Sequence, residues 1–115
     1  MQEILTARGF ASLGNETRLA IFRLLVRAGE DGTTTGQIGA SLGIPLSTLA
    51  HHLEILAQAG LVRQRKSGRQ VINSANYPAL QQLIDYLMSN CCEGLAENDP
   101  DEARPADTIT ERAGA

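Results

Sequence analysis

Two adjacent cysteines, Cys91 and Cys92, are the only thiols in a chain of 115 residues, and they lie far along the sequence from its two histidines, His51 and His52. A vicinal thiol pair is a soft-ligand site: thiolates bind trivalent arsenic and antimony strongly, and neighbouring residues supply two sulfurs at once. The alternatives are oxidation, in which one or both thiols act as a redox sensor, and an inert pair of small residues at a helix end in a protein that responds to no metal. A structural disulfide within the pair is a poor fit, because adjacent residues hold their sulfurs in unfavourable geometry and close no useful loop. A reduced compartment suits the pair, so the chain is expected in the cytoplasm. Enzymatic chemistry is not expected: the sequence has no Cys-x-x-Cys, no acid–base constellation and no phosphate-binding loop.

A second group of residues has the makings of a DNA-reading surface. Leu49, Leu53 and Leu56 recur at i, i+4 and i+7, which is one face of a helix, and Ser47, Thr48 and His51 fall opposite them. Short hydroxyls and an imidazole on an outward helix face can reach base edges in a major groove. Leu46, at the start of the same helix, can pack on a thymine methyl. His52 lies nearer the buried face and is either a DNA contact or a structural hydrogen-bonder. Further on, Arg65, Lys66 and Arg69 surround a Ser67-Gly68 turn, where cations meet phosphates or a minor groove.

The elements that must hold these groups follow from periodicity and punctuation. A first helix is expected from Gln2 to about Leu13, and a second from an Asn15 cap to about Ala28, apolar on most sides through Leu19, Ile21, Phe22, Leu24, Leu25 and Val26. Arg18, at the start of that helix, reads as structural. Thr34 and Gln37 have capping-box spacing ahead of a short helix with Ile38 and Leu42 inward. Gly43 breaks that helix, Pro45 suits the start of the next, and Gly60 stops it. Two short helices joined by a turn of about four residues form a helix-turn-helix. The runs from Leu61 to Lys66 and from Arg69 to Ser74 then read as a basic hairpin, or wing. After Asn76-Tyr77-Pro78 a last helix carries Leu80, Leu83, Ile84, Leu87, Met88 and Cys91 on one stripe. The predicted fold class is thus mainly α with a β-hairpin wing.

Charge divides the chain. Residues 1–92 carry eight basic and six acidic side chains, whereas residues 93–115 carry two basic and seven acidic. A mildly basic body with an acidic appendage points weakly to nucleic acid. The predicted organisation is a winged helix-turn-helix domain over 1–92 and an acidic, disordered tail over 93–115. No apolar run reaches the ~18–20 residues that a membrane helix needs, and Met1-Gln2-Glu3 does not begin a signal peptide.

As a set, these segments resemble the ArsR/SmtB family of bacterial winged-helix metalloregulatory repressors. Residues 11–22, Ala11-Ser12-Leu13-Gly14-Asn15-Glu16-Thr17-Arg18-Leu19-Ala20-Ile21-Phe22, look like the family's first-to-second helix signature. Leu46 to Leu56, followed by Ala59-Gly60-Leu61-Val62, is similar to its recognition helix, and Gly68-Arg69-Gln70-Val71 to its wing. The resemblance implies a homodimer paired through the last helix, a double-stranded operator as partner, and Leu46, Ser47, Thr48, His51, His52, Arg65, Lys66 and Arg69 as the DNA-binding set. It also implies release by an inducer and no permanently bound cofactor. Of the family's sensor sites, the Cys-x-Cys type is replaced here by Gln37-Ile38-Gly39-Ala40, and the histidine-rich type has no histidines on the last helix. Asn90-Cys91-Cys92 is similar to a subgroup of arsenic-responsive members with a Cys-Cys pair at the end of that helix. That subgroup adds a further cysteine a few residues later, where this chain has Glu93-Gly94-Leu95-Ala96-Glu97-Asn98. Two thiols per chain suit an organoarsenical, whose carbon substituent fills the third position; arsenite would draw its third ligand from the partner subunit, water or a tail carboxylate. Neighbouring side chains on a helix point about 100° apart, so closing both sulfurs on one atom is expected to unwind the last turn around Asn90 to Glu93.

Overall fold

Leu49, Leu53 and Leu56 are between 0% and 1% exposed, and the helix that carries them runs Leu46–Gln58. Full burial of side chains this size is worth roughly 1.5–3 kcal/mol each, so this one face anchors the helix whatever its outer surface does. The computed structural model describes residues 2–95. In chain order the elements are α1 (Gln2–Leu13), α2 (Glu16–Ala28), β1 (Thr33–Thr34), α3 (Thr35–Leu42), α4 (Leu46–Gln58), β2 (Val62–Ser67), β3 (Gln70–Ala75) and α5 (Tyr77–Met88). The core gathers Ile21, Phe22 and Leu25 of α2, Ile38 of α3, the three α4 leucines, Leu61, Val62, Ala75 and Leu83 of α5. None of the helices among the described residues is long and apolar enough to cross a membrane.

Helix starts are set by side chains. Asn15 accepts from the Arg18 N–H at 3.0 Å and begins α2. Thr34 accepts from the Gln37 N–H at 3.1 Å while the Gln37 side chain accepts from the Thr34 N–H at 3.1 Å, so the predicted capping box is present. Between α3 and α4 the chain reverses through Gly43, whose left-handed backbone (φ 68°, ψ 34°) is one that glycine adopts without steric cost. Pro45 occupies the cap position of α4. At the other end, Asn76 begins α5, accepting from Ala79 N–H and donating to the Gly60 carbonyl at 2.8 Å. The Tyr77 hydroxyl donates to the Val26 carbonyl at 3.0 Å, tying α5 to the end of α2.

The sheet is three-stranded and antiparallel, in the order β1-β3-β2. Strand β1 was not foreseen from the sequence. It pairs Thr33 with Asn73 and Thr34 with Ile72, and so joins the wing to the start of α3. The wing turn also differs by one residue from expectation. Ser67 pairs with Gln70, leaving Gly68 and Arg69 as the two-residue loop. Gly68 at the first loop position has φ 65°, which suits a hairpin whose strands twist in the normal sense.

Two further expectations are corrected. Leu19 of α2 is 46% exposed, so that helix has an open side. Helix α5 ends at Met88 and does not carry the apolar stripe on to Cys91. Ser89 is extended, and Asn90 (φ 60°) and Cys92 (φ 67°) are left-handed, so residues 89–92 form turns outside the helix. Most of the proposed acidic tail, from residue 96 onward, lies outside the described residues. The described part is a winged helix-turn-helix.

Candidate nucleic-acid interface and thiol site

A groove of about 890 Å³ runs between the outer face of α4 and the wing. Ser47, Ala50, His51 and Glu54 of α4 line one side, at the i, i+3, i+4, i+7 spacing of a single helix face. Leu46, 58% exposed, stands at its α4 end. Gln64, Arg69, Gln70 and Val71 line the wing side, and Thr34, Thr35 and Gly36 close it at the start of α3. The surface is concave and mixed polar and apolar, with hydroxyl, amide, imidazole and guanidinium groups that can bond to base edges or phosphates.

Of the eight DNA-binding candidates, Leu46, Ser47, His51 and Arg69 meet in this groove. Thr48 is exposed on α4 but outside the groove lining. The three wing cations are not equivalent. In the antiparallel pairing Lys66 faces Val71, and Gln64 faces Asn73, which puts Lys66 on the same face of the hairpin as groove-lining Gln64. Arg65 pairs with Ile72 and points to the opposite face, together with Arg63. Arg69 sits at the tip. Strand alternation in the sequence could have separated these, had the turn been placed one residue later. The groove-lining polar residues Glu54, Gln64 and Gln70 were not among the sequence candidates. Continuing the Ser47–His51 spacing by one more turn would have reached Glu54.

His52 turns elsewhere. It is half-buried and its Nδ1 accepts from Arg18 Nη1 at 3.4 Å, so it is engaged behind the reading face rather than in the groove. Burial first, then the Arg18 guanidinium and neighbouring His51, hold its imidazole below the ordinary histidine range.

Asn73 of β3 is the polar centre beneath the groove. It is 0% exposed, accepts from Gln64 Nε2 at 2.9 Å and donates to Thr35 Oγ1 at 3.0 Å, linking the wing to α3. A buried amide needs such partners to offset its loss of water. In the sequence, Asn73 lies in an alternating strand where a polar residue reads as surface, so nothing marked it.

The thiols form the second site. Cys91 and Cys92 are both exposed and unbridged, with their sulfurs 3.0 Å apart in a hydrogen bond. The left-handed backbone at Asn90 and Cys92 brings adjacent side chains to one side, which a helix cannot do. The expectation that binding must unwind a helical turn is therefore corrected: the sulfurs already converge in a turn beyond α5. The bond to Cys92, with a smaller contribution from burial, raises the Cys91 thiol above its ordinary range, so it is protonated near neutrality. No group of three or more His, Cys, Asp or Glu able to hold a metal ion occurs among the described residues.

Comparison with known proteins agrees with this arrangement. Residues 13–65 match a helix-turn-helix domain family. The transcriptional repressor SdpR of Bacillus subtilis is 30% identical over 80 residues, which is 70% of this chain and 86% of that one. An uncharacterized HTH-type transcriptional regulator of the same organism, YceK, is 36% identical over 63 residues, or 55% of this chain; there the match spans only 62% of the relative. Among solved structures, the homodimeric winged helix-turn-helix DNA-binding domain of Mb0332 from Mycobacterium bovis, a possible ArsR-family transcriptional regulator, superposes with a TM-score of 0.60 at 25% identity, covering 76% of this chain and 85% of that one. These relatives are regulators of transcription rather than enzymes. The chain belongs to the ArsR family of winged helix-turn-helix, DNA-binding transcriptional regulators.

Proposed function

We propose that the protein is a homodimeric cytoplasmic repressor that leaves its operator when Cys91 and Cys92 bind a trivalent arsenic or antimony species. The observation that carries the inducer assignment is the 3.0 Å separation of two exposed sulfurs. One soft atom can bond to both without helix unwinding. The step balances as a condensation: a monosubstituted arsenical bearing two hydroxyls takes two thiols, forms two As–S bonds, and releases two waters with no change of oxidation state. Arsenite bound by two thiols keeps one hydroxyl, or gives it up to a third thiol from the partner.

DNA binding follows from the groove. In this reading Ser47 and His51 meet base edges, Leu46 packs on a methyl group, and Arg69 and Lys66 meet phosphates, with Arg65 and Thr48 contributing from the flanks. The dimer face is the surface shared by α1 and α5, where Leu83 packs on Gly9 and Ile4, Leu5, Ile84, Leu87 and Met88 are 46–66% exposed. Apolar exposure of this kind on adjacent helices marks an association surface. That the similar domain from Mycobacterium bovis is homodimeric supports a dimeric state for this chain; the choice of face rests on the exposed side chains. Leu87 and Met88 end α5 three residues before the thiols, so closing an arsenic ring there alters the edge of the dimer face and the spacing of the two reading heads. Thiol oxidation by peroxide is the competing inducer chemistry, and the same two exposed sulfurs would carry it.

The test is release of the full chain from a duplex that it selects out of a random-sequence pool. Arsenite, methylarsenite and antimonite are expected to release it, and zinc and nickel to do so poorly. Peroxide acting alone would favour the redox alternative. Release by arsenicals that survives replacement of both cysteines by serine would refute the assignment.

A further inference from the structure

Arg18 touches three helices. Its backbone N–H is the one capped by Asn15 at the start of α2. Its side-chain Nε donates to the Ser12 carbonyl at 2.6 Å, in the last turn of α1. Its Nη1 donates to His52 Nδ1 at 3.4 Å, in α4. Ser12 is itself 4% exposed, and its hydroxyl donates to the Gly9 carbonyl at 2.7 Å, one turn back along α1 at the point where α5 packs through Leu83. A continuous polar path thus runs from the α1–α5 surface, through Ser12 and Arg18, to the back of the helix that carries the reading face. A guanidinium is suited to this, being rigid, always charged and able to donate in two directions.

We propose that Arg18 and His52 are positioning residues that set the recognition helix α4 against the dimer helices, and that the bridge holds only while His52 is neutral. It rests on the reading of the chain as an operator-binding repressor. An arginine has donors only, so His52 must offer a bare Nδ1 and carry its proton on Nε2. Protonation turns Nδ1 into a donor and sets two cations face to face. The charged groups bearing on His52 are Arg18 from α2 and His51 from its own helix, whose ring centroid is 6.1 Å away; both oppose its protonation. Arg8 of α1 lines the same cleft as Arg18 and adds positive charge there.

The sign follows. With the imidazole held below its ordinary range, the neutral form and the bridge persist through that range, and the bridge is lost as pH falls below it. Added positive charge does not weaken, and generally strengthens, attraction to phosphates of any sequence. Acid should therefore lower sequence-specific affinity while leaving non-specific affinity intact.

The experiment measures fluorescence anisotropy of the full chain on its pool-selected duplex and on a scrambled duplex, at fixed salt, between pH 8 and pH 4.5. The wild type is expected to lose about tenfold in the ratio of the two affinities on acidification, the scale of one charged hydrogen bond. His52→Asn, whose Oδ1 can accept from Arg18 without titrating, should keep the ratio measured at pH 8 and show a flat profile, although His51 is still present. His52→Leu should have the low ratio at every pH. A flat wild-type profile, or an Asn variant that titrates like the wild type, overturns the proposal. If the wild type binds no duplex at pH 8, the repressor reading fails instead. The bridge is then decided by 15N NMR of His52, where an Nε2-protonated tautomer whose pKa rises in Arg18→Gln supports it, and an Nδ1-protonated tautomer or an unchanged pKa overturns it.

Discussion

Replacing Asn73 with alanine tests whether the wing is held by the polar centre beneath it. Two well-formed hydrogen bonds are lost, from Gln64 Nε2 at 2.9 Å and to Thr35 Oγ1 at 3.0 Å. The contacts to the Thr33 and Val71 carbonyls, at 3.5 and 3.4 Å, are long and contribute little. Each good bond is worth about 1 kcal/mol net. Gln64 is exposed and Thr35 half-buried, so both can turn to water and the heavier penalty of stranded partners is avoided. Removing the amide from a site with no exposure adds a small cavity. The sum is about 2–3 kcal/mol. For a domain of this size each kcal/mol shifts the melting temperature by roughly 4–8 °C, so a fall of about 10–20 °C is expected. Urea unfolding followed by circular dichroism measures it, and a double-mutant cycle with Gln64→Ala should return a coupling of about 1 kcal/mol. A loss below about 0.5 kcal/mol, the range of ordinary surface changes, would refute the reasoning.

Other consequences are equally open to measurement. Cys92→Ala removes the hydrogen bond that raises Cys91, so the pH midpoint for alkylation of Cys91 by iodoacetamide should move down; an unchanged midpoint would mean that the thiols are not paired in solution. Arg69→Ala should weaken binding to all duplexes alike and reduce the salt slope by about 1, whereas Ser47→Ala should relax sequence preference at constant slope. Leu87→Glu places a charge on a side chain that is 66% exposed, so it should leave the fold intact while shifting the dimer toward monomer in sedimentation experiments.

Much of this architecture can be read directly from residues. The leucine spacing on α4, the Asn15 cap and the Thr34–Gln37 box are local signals whose physics is complete within one turn of helix, and each is found where the spacing put it. What could not be read depends on partners distant in sequence. A two-residue strand such as β1 has no periodicity of its own and exists only because β3 lies beside it. Asn73 is buried by α3 and the wing together, which alternation along β3 cannot reveal. His52 could be placed near the buried face, but its engagement with Arg18 spans 34 positions. The end of α5 is a different case. The apolar stripe continues in phase to Cys91, yet the backbone turns at Ser89 and Asn90, and asparagine's tolerance of left-handed geometry was the available clue.

Thr34 belongs to two elements at once. It is the last residue of β1, paired with Ile72 of the wing, and its hydroxyl begins α3. Strand and helix therefore cannot shift independently at this point, and the base of the wing is locked to the helix-turn-helix before any DNA arrives. Ordering a loose hairpin on association would draw on the binding free energy, side chain by side chain. Here the backbone at the base of the wing is already fixed by its pairing with β1, so in a DNA complex that cost would fall on the outer hairpin and its exposed side chains.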